Sequence, residues 1–176
     1  MTGIDHSKPF LPVRIAVMTI SDTRTPETDT SGRVLVERIR AAGHVVADRC
    51  IERDDADALV RHLEKWIADP SIDVVITNGG TGVTGRDVTP EAFERVLEKR
   101  IEGFGELFRM LSYNKIGTST IQSRALAGVA RGTYLFALPG SGGAVKDAWD
   151  DILVFQLDSR HMPCNFVELM PRLQER

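Results

Sequence analysis

A glycine-rich stretch followed by an acid lies within residues 73–91 and is the part of the chain best suited to chemistry. Gly79, Gly80 and Gly82 come directly after an apolar run rich in β-branched residues. Because glycine tolerates positive φ and lets the backbone approach a ligand, the amides here can turn toward phosphate. Asp87 follows, and Mg²⁺ is usually held by one or two carboxylates together with phosphate oxygens. The stretch therefore predicts a site for nucleotide chemistry.

A second glycine loop covers residues 139–143 and stands just before a segment with helical spacing. The amides at the start of a helix are unpaired and lie at the positive end of its dipole, so they favour anions. The first loop is expected at the carboxyl end of a buried strand, where open α/β sheets bind ligands. We predict that the two bends converge with Asp87 around one magnesium-bound triphosphate.

Two known phosphate motifs fit this stretch poorly. Gly80, Gly82 and Gly85 match G-x-G-x-x-G, but that fingerprint needs a helix opening on the glycines and an acid about 20 residues on, at the end of the next strand. Residues 86–90 intervene before the next predicted helix, which argues against an NAD site. A P-loop needs lysine directly after its last glycine, and Arg86 stands there, so that motif is excluded.

Length and composition predict a single domain, because 176 residues can bury a sizeable core. Residues 1–12 are expected to be a flexible leader and residues 13–176 the folded domain. A net charge of −3 with both signs interspersed argues against nucleic acid. Cys50 and Cys164 have no metal-ligand spacing and are expected to be free thiols. With no secretory pattern and no apolar run of membrane length, we expect a cytoplasmic protein without a membrane partner.

Strand-like and helix-like periods alternate along the chain, which predicts an α/β fold with a parallel sheet. Strands are predicted at residues 13–20, 44–52, 73–78 and 133–138. Helices are predicted from Thr30 or Ser31 to Gly43, from an N-cap at Asp54, from a hydroxyl cap at Thr89 through Arg100, over residues 119–130 and after Gly143. Residues 103–105 are predicted to interrupt a helical pattern.

Several spaced motifs occur in one order over nearly the whole chain. They are Gly79-Gly-Thr-Gly82, Arg86-Asp-Val-Thr-Pro-Glu91, Gly103-Phe-Gly-Glu106, Ser123-Arg124 and Pro139-Gly-Ser141. This set resembles the molybdopterin adenylyltransferase family, the MogA and MoaB proteins of molybdenum cofactor biosynthesis. Segments closer to the MoaB branch are Thr30-Ser-Gly32, Phe108-Arg-Met-Leu-Ser112, Ile116-Gly-Thr-Ser-Thr120 and Arg160-His-Met-Pro-Cys-Asn-Phe166.

The resemblance implies a Rossmann-like, three-layer α/β/α sandwich with a mostly parallel central sheet. It also implies a homo-oligomer, either a trimer or a hexamer, and transient contact with other enzymes of molybdenum cofactor biosynthesis. The implied reaction joins molybdopterin and Mg-ATP into adenylyl-molybdopterin and pyrophosphate. The terminal phosphate of molybdopterin attacks the α-phosphorus of ATP, so the protein mainly positions the substrates and neutralises charge.

The resemblance also implies roles for individual residues. Asp54 and Asp87 match the family's acids and would hold Mg²⁺ or orient ATP, although each could be only a helix-start residue. The other implied site residues are Gly79, Gly80, Thr81 and Gly82 for one phosphate, Gly140 and Ser141 for a second, and Ser123 and Asp22 for molybdopterin. The ordinary alternatives are a tight turn for the glycine stretch, a solvent-facing residue for Ser123 and a turn residue for Asp22.

One departure from the family concerns the second loop, where Gly142 stands in place of a proline found in many catalytic relatives. Two other functions stay open at this point. The chain could be an oligomeric carrier that binds molybdopterin or its precursor without turnover, or a structural scaffold that inherits the loops only as geometry.

Overall fold

Residues 3–175, which the computed structural model describes, form a six-stranded central sheet and a separate two-stranded one. The strands are β1 (Gly3–Ile4), β2 (Arg14–Ile20), β3 (Val45–Glu52), β4 (Val74–Asn78), β5 (Lys99–Arg100), β6 (Leu126–Ala130), β7 (Thr133–Leu138) and β8 (His161–Met162). The central order is β3-β2-β4-β7-β6-β5, in which β3, β2, β4 and β7 run parallel. Because β6 is antiparallel to both of its neighbours, the sheet is mixed but mostly parallel.

Helices connect the strands and cover the sheet. They are α1 (Thr30–Ala41), α2 (Ala56–Ile67), α3 (Thr89–Val96), α4 (Glu102–Ile116), α5 (Gly142–Ala148), α6 (Val154–Gln156) and α7 (Phe166–Leu169). Short 3₁₀ turns follow α4 (Gly117–Gln122) and α7 (Met170–Arg172). A π-helical turn (Trp149–Leu153) joins α5 to α6 without a break. None of the described helices has the length and apolar character to span a bilayer.

Both faces of the sheet are buried, which produces three layers. Along β2, Ile15 and Val17 point to a core that includes side chains of α1, α4 and α5, whereas Ala16 and Met18 point to a core that includes side chains of α2 and α3. Successive strand residues face opposite sides of a sheet, so an unbroken apolar strand fits this arrangement. The predicted α/β/α sandwich is confirmed.

Three predicted elements were wrong, all near β6. Residues 119–130 were predicted as a helix, but Leu126–Ala130 is a buried strand that pairs with β7 after a tight reversal. Pairing inside the core outweighed the helix propensity of its alanines. The predicted helix from Thr89 ends at Val96, because Lys99–Arg100 pairs with β6.

The predicted interruption at residues 103–105 was also wrong, since α4 runs through it. Gly105 lies against β6 so closely that an added Cβ would be 2.5 Å from the Ala125 carbonyl oxygen. The glycine is required by close packing of a helix on the sheet rather than by a break in the helix.

The helix caps differ from the prediction at three places. Asp29, not Thr30 or Ser31, caps α1 by accepting from the Gly32 amide. Asp55 caps α2 by accepting from the Ala58 amide, so the predicted cap role of Asp54 was wrong. Thr89 does not cap α3 either, because its hydroxyl donates to the Gly79 carbonyl at 2.9 Å. The carboxylate of Asp54 is therefore available for another role.

The N-terminal segment makes specific contacts with the tail of the chain. β1 pairs with β8, and the Leu11 amide donates to the Ser159 hydroxyl at 2.9 Å. Residues 1, 2 and 176 of the predicted leader and domain lie outside the described residues. The flexibility of residues 1–12 and the boundary at residue 13 stay predictions.

Candidate functional site

The two predicted glycine loops meet at the carboxyl edge of the sheet. They leave the adjacent parallel strands β4 and β7, whose last residues, Asn78 and Leu138, are partners in register. The Gly79 amide donates to the Leu138 carbonyl at 3.0 Å, and a Cβ on Gly140 would lie 3.1 Å from the Gly79 Cα. The strand order thus brings together two loops that are 60 residues apart in the chain.

A cavity of about 510 Å³ opens between these loops and helix α4. Most of the predicted site residues line it, namely Gly79, Gly80, Thr81, Gly82, Asp87, Ser123, Gly140 and Ser141. Asp54 lies behind the first loop, where a Cβ on Gly80 would be 2.8 Å from its Oδ1. Asp22 is exposed and pairs with Arg86.

The first loop, defined here as residues 79–82, needs glycine for steric reasons. Gly79 and Gly80 have φ of 109° and 62°, which side chains rarely adopt. An added Cβ on Gly79 would overlap the Ile20 carbonyl oxygen, and one on Gly82 would lie 2.7 Å from Asp87 Oδ2. Among the described residues, the amides of Gly80 and Thr81 have no hydrogen-bond acceptor, so they are free for an anion.

Asp87 is fixed as an ionised carboxylate beside this loop. Its Oδ2 accepts from the Thr84 amide at 2.9 Å and from the Thr84 hydroxyl at 2.7 Å. Burial alone raises the pKa of Asp87, but the bonds from Thr84 and the Gly82 amide, with the charge of Arg124, outweigh it and bring the pKa below its usual value. Asp87 is therefore negatively charged at neutral pH.

The pKa of Asp54 is shifted in the opposite direction to that of Asp87. Burial, and then the negative charge of Asp87, raise the pKa of Asp54 above its usual value. Its amide donates to Asp22 Oδ1 at 3.4 Å, which links the predicted pair to the end of β2. Two carboxylates that repel each other in this way would both be stabilised by a cation between them.

The donor set fits Mg²⁺ better than a transition metal. Within residues 3–175 no group of three or more His, Cys, Asp or Glu side chains is arranged to hold a metal ion. Mg²⁺ does not need such a cage, because one or two carboxylates and the oxygens of a phosphate complete its coordination. Asp54 and Asp87 next to the free amides of the first loop provide that combination.

Arg124 holds the first loop in place, a role that the sequence did not reveal. Its guanidinium donates to the carbonyls of Gly82 and Asp87, each at 2.7 Å, and pairs with Glu91. Its own amide donates to the Thr81 carbonyl at 2.9 Å. Arg124 belongs to one of the family motifs, but its partners lie more than 30 residues away and no local pattern identifies them.

A buried network braces the strand end below the first loop. Asn78 donates to the Thr19 hydroxyl at 3.1 Å and accepts from the Ser31 hydroxyl at 2.8 Å. Asp29, which is fully buried, accepts from Thr19 and from Arg49. Since buried polar groups are costly when unpaired, this closed network fixes the position from which the loop departs.

The second loop is built more openly. Ser141 caps α5, its Oγ accepting from the Ala144 amide at 3.1 Å. A Cβ on Gly142 or Gly143 would meet no atom within 4 Å, and neither residue has a positive φ. Their amides lie at the start of a helical stretch that continues through the π-helical turn to Gln156, and Gly143 lines the cavity.

Ser123 borders the same cavity. It follows the 3₁₀ turn after α4, and its Oγ accepts from the Ala125 amide at 3.3 Å. Its hydroxyl proton has no acceptor among the described residues, so it can be donated to a ligand. Asp22 shares no cavity wall with Ser123, and the structure does not bring these two residues together.

The chain is similar to known proteins along most of its length. Residues 16–159 match the family model described as "Probable molybdopterin binding domain". The chain is 48% identical over 160 residues to molybdenum cofactor biosynthesis protein B of Escherichia coli (strain K12), covering 91% of this chain and 94% of that one.

Solved structures point to the same group. A crystal structure of molybdenum cofactor biosynthesis protein B superimposes with a TM-score of 0.86 at 40% identity, covering 96% of this chain and all of the other. The tungsten cofactor synthesizing protein MoaB from Pyrococcus furiosus superimposes with a TM-score of 0.72 at 35% identity, covering 81% of this chain and 91% of that protein.

Proposed function

The chain belongs to the molybdenum cofactor biosynthesis protein B family, and from that premise we propose that it adenylylates molybdopterin. In this reaction a terminal phosphate oxygen of molybdopterin forms a bond to the α-phosphorus of ATP. The bond from that phosphorus to the bridging oxygen breaks, and its electron pair leaves with pyrophosphate. The product is adenylyl-molybdopterin.

The observation that carries this proposal is that two loops with free amides border one cavity beside a pair of carboxylates. An in-line phosphoryl reaction needs its two phosphate groups held close together and their charge neutralised. The amides of Gly80 and Thr81 would bind the triphosphate, with Gly79 and Gly82 shaping the turn. Gly140 and Ser141 would bind a second phosphate at the start of α5.

Asp54 and Asp87 are the residues that would hold Mg²⁺. When bound, the ion would supply positive charge that offsets the charge of the triphosphate and of the leaving pyrophosphate. Thr84 keeps Asp87 ionised and oriented, and Arg124 keeps the loop around it rigid. A bound cation would lower the pKa of Asp54, which burial and the charge of Asp87 raise in the free protein.

On the molybdopterin side, Ser123 would donate its free hydroxyl proton to the terminal phosphate. Such a bond would hold the attacking oxygen near the first loop without altering its charge. The contribution of Asp22 is indirect in this account, since its carboxylate accepts from the Asp54 amide and pairs with Arg86. Its predicted contact with molybdopterin stays a prediction.

We also propose self-association through one side of α4. Large apolar side chains are exposed there and just beyond it, namely Leu107, Met110, Tyr113, Ile116 and Ile121. A contiguous exposed apolar surface is typical of an interface between subunits. A trimer or hexamer in sedimentation would support this, and a monomer would contradict it. A cytoplasmic location and transient contact with other enzymes of the pathway stay predictions.

The proposed reaction is tested by incubating the purified protein with Mg-ATP and molybdopterin. We expect adenylyl-molybdopterin and pyrophosphate, and we expect Asp87→Ala to lower the rate by about 10³-fold or more, as for loss of a central charge-stabilising group. Asp57→Ala is the matched control, because Asp57 is an exposed acid on α2 that forms an ion pair with Arg95.

Tight molybdopterin binding without product would contradict the enzyme and support a carrier. Calorimetry with Mg-ATP alone separates both from a scaffold, which should release no heat.

A further inference from the structure

Arg86 stands directly before Asp87 in one of the family motifs, and the proposed function gives it no task. Its guanidinium donates to Asp22 Oδ2, which belongs to a residue 64 positions earlier in the chain. Asp22 lies two residues after the end of β2, whereas Arg86 follows β4. The ion pair therefore joins the segments that leave two adjacent parallel strands.

The segment that carries Arg86 is loosely packed. The Arg86 side chain is 76% exposed, and a Cβ on Gly85 would meet no atom within 4 Å. An exposed ion pair such as Arg86–Asp22 contributes little free energy, because water competes for both groups. The guanidinium can therefore exchange Asp22 for a more highly charged partner at small cost. A phosphate group is such a partner, since the planar guanidinium binds it through two parallel hydrogen bonds.

The ion pair lies next to the carboxylates proposed to hold Mg²⁺. The other oxygen of Asp22, Oδ1, accepts from the Asp54 amide at 3.4 Å. Arg86 and the Asp54 backbone are thus bound to the two oxygens of one carboxylate. Asp54 in turn lies behind Gly80 of the first loop. The guanidinium is therefore a neighbour of the position proposed for the triphosphate.

The order of the strands determines which part of a triphosphate Arg86 can reach. β7, which precedes the second loop, and β2, which precedes Asp22, lie on opposite sides of β4. Neighbouring strands lie about 5 Å apart, so the ends of β7 and β2 are separated by roughly 10 Å, with the first loop between them. In an in-line reaction the attacking and leaving oxygens lie on opposite sides of the phosphorus. When the phosphate of molybdopterin is held at the second loop, the leaving pyrophosphate is directed toward Asp22 and Arg86.

The charges at this edge of the sheet explain why a cation is needed there. Asp22, Asp54 and Asp87 are three carboxylates, and a leaving pyrophosphate adds further negative charge. One bound Mg²⁺ offsets only part of that total. The guanidinium of Arg124 is already bound to carbonyls of the first loop and of Asp87. Arg86 supplies a cation that can turn from Asp22 to the pyrophosphate.

We infer that Arg86 is a catalytic residue that leaves Asp22 and binds the β- and γ-phosphates of ATP, which depart as pyrophosphate. This rests on the proposed function. As the bond from the α-phosphorus to the bridging oxygen breaks, negative charge grows on that oxygen and on the β-phosphate. The guanidinium donates hydrogen bonds to these oxygens and stays protonated throughout, so it transfers no proton. Asp22 holds the arginine when no nucleotide is bound.

Calorimetric titration with Mg-pyrophosphate and with AMP tests the inference, because AMP lacks the phosphates that Arg86 would bind. We expect Arg86→Gln to weaken Mg-pyrophosphate binding about 10- to 100-fold, the range for hydrogen bonds between charged groups, with AMP affinity unchanged. Arg86→Lys should keep part of the affinity, since lysine retains the charge but not the paired donors. Arg95→Gln is the matched control, because Arg95 is also an exposed arginine paired with an aspartate, Asp57. It should bind both ligands like the wild type.

A second set of variants tests the exchange of partners. Asp22→Asn keeps an oxygen that can accept from the Asp54 amide but removes the charge that holds Arg86. Mg-pyrophosphate should then bind up to about 5-fold more tightly, the most that an exposed ion pair contributes. In the Arg86→Gln background the same change should have a smaller effect, because the competing arginine is absent. An equal gain in both backgrounds would indicate simple repulsion by Asp22 and would overturn the exchange.

Turnover separates the inference from the proposed reaction. Arg86→Gln should lower the rate of adenylylation by at least about 10²-fold, because the charge on the leaving group grows in the transition state. Equal pyrophosphate affinity and equal turnover in the wild type and in Arg86→Gln would overturn only the inference, as would a wild type that does not bind Mg-pyrophosphate but makes product. Absence of product from a wild type whose pyrophosphate affinity depends on Arg86 would contradict only the proposed reaction.

Discussion

The two glycine loops look alike in the sequence but differ in how the fold constrains them. The first loop is enclosed, because positive φ at Gly79 and Gly80 and contact with Asp87 at Gly82 leave no room for side chains. The second loop is open at Gly142 and Gly143, where a Cβ would meet nothing within 4 Å. Glycine is therefore required for steric reasons in the first loop, whereas a side chain at Gly142 or Gly143 would meet no steric obstacle.

This difference indicates a division of tasks. Arg124, Thr89 and the network at Asn78 hold the first loop in one conformation. Its free amides are therefore oriented toward the anion site before a ligand binds. Preorganised donors are the kind that stabilise developing charge. The second loop depends on the start of a helix and can tolerate change. Glycine substitutions in each of the two loops should distinguish these two tasks.

The largest effect is expected for Gly79→Ala. Alanine there would overlap the Ile20 carbonyl and would have to adopt a φ of 109°, so the free energy of unfolding should fall by about 3 kcal/mol and turnover should be lost. Urea denaturation measures the first quantity. Gly85→Ala is the control, since its Cβ would meet no atom within 4 Å. Equal losses for the two variants would contradict the steric account.

Arg124→Gln should have the next largest effect. The change removes charged donors from the carbonyls of Gly82 and Asp87, and we expect a loss of about 2 kcal/mol in the free energy of unfolding, with weaker binding of Mg-ATP. Arg95→Gln removes a similar cation from an exposed ion pair and should cost less than about 1 kcal/mol. A stable Arg124→Gln protein with normal ATP affinity would show that the loop needs no brace.

Asp54→Asn should separate stability from activity. Because the pKa of Asp54 is raised in the folded protein, the wild type loses stability as pH rises from the usual pKa of 3.8 through the raised value. The variant lacks this loss and should be more stable at neutral pH, by less than about 1 kcal/mol after solvent screening. It should bind Mg-ATP weakly. Urea midpoints at acid and neutral pH test the sign, and a less stable variant at neutral pH would refute it.

The smallest effect is expected in the second loop. Gly142→Ala should raise the free energy of unfolding by about 0.5 kcal/mol, because alanine favours the start of α5 and loses less chain entropy. Turnover should stay near that of the wild type. Thermal unfolding and the adenylylation assay measure the two quantities. A loss as large as that of Gly79→Ala would mean that both loops are equally constrained.

The sequence predicted the elements that carry local signals. The apolar runs of β2, β4 and β7, together with the glycines after β4 and β7, predicted a buried sheet with a ligand edge, and the structure has that edge. Leu126–Ala130 was mistaken for a helix because its strand identity depends on pairing with β7 rather than on its own residues. The residue pattern within a segment cannot show that the segment will pair with a neighbouring strand.

The contributions of distant residues to the site were likewise invisible. Arg124 donates to the carbonyls of Gly82 and Asp87, which lie more than 30 residues before it in the chain. Asp54 was predicted to cap α2 from its position in the sequence, but in the structure the adjacent Asp55 is the cap. The periodicity of the sequence predicted which segments are helices or strands. The hydrogen-bond partners of the site side chains could be identified only from the folded structure.

A crystal structure with Mg²⁺ and a non-hydrolysable ATP analogue tests the central claim most directly. We predict that the metal binds Asp54 and Asp87 and that the α-phosphate lies between these carboxylates, against the amides of Gly80 and Thr81. A triphosphate bound elsewhere, for example in the separate cavity beside Arg100 and Arg109, would contradict it.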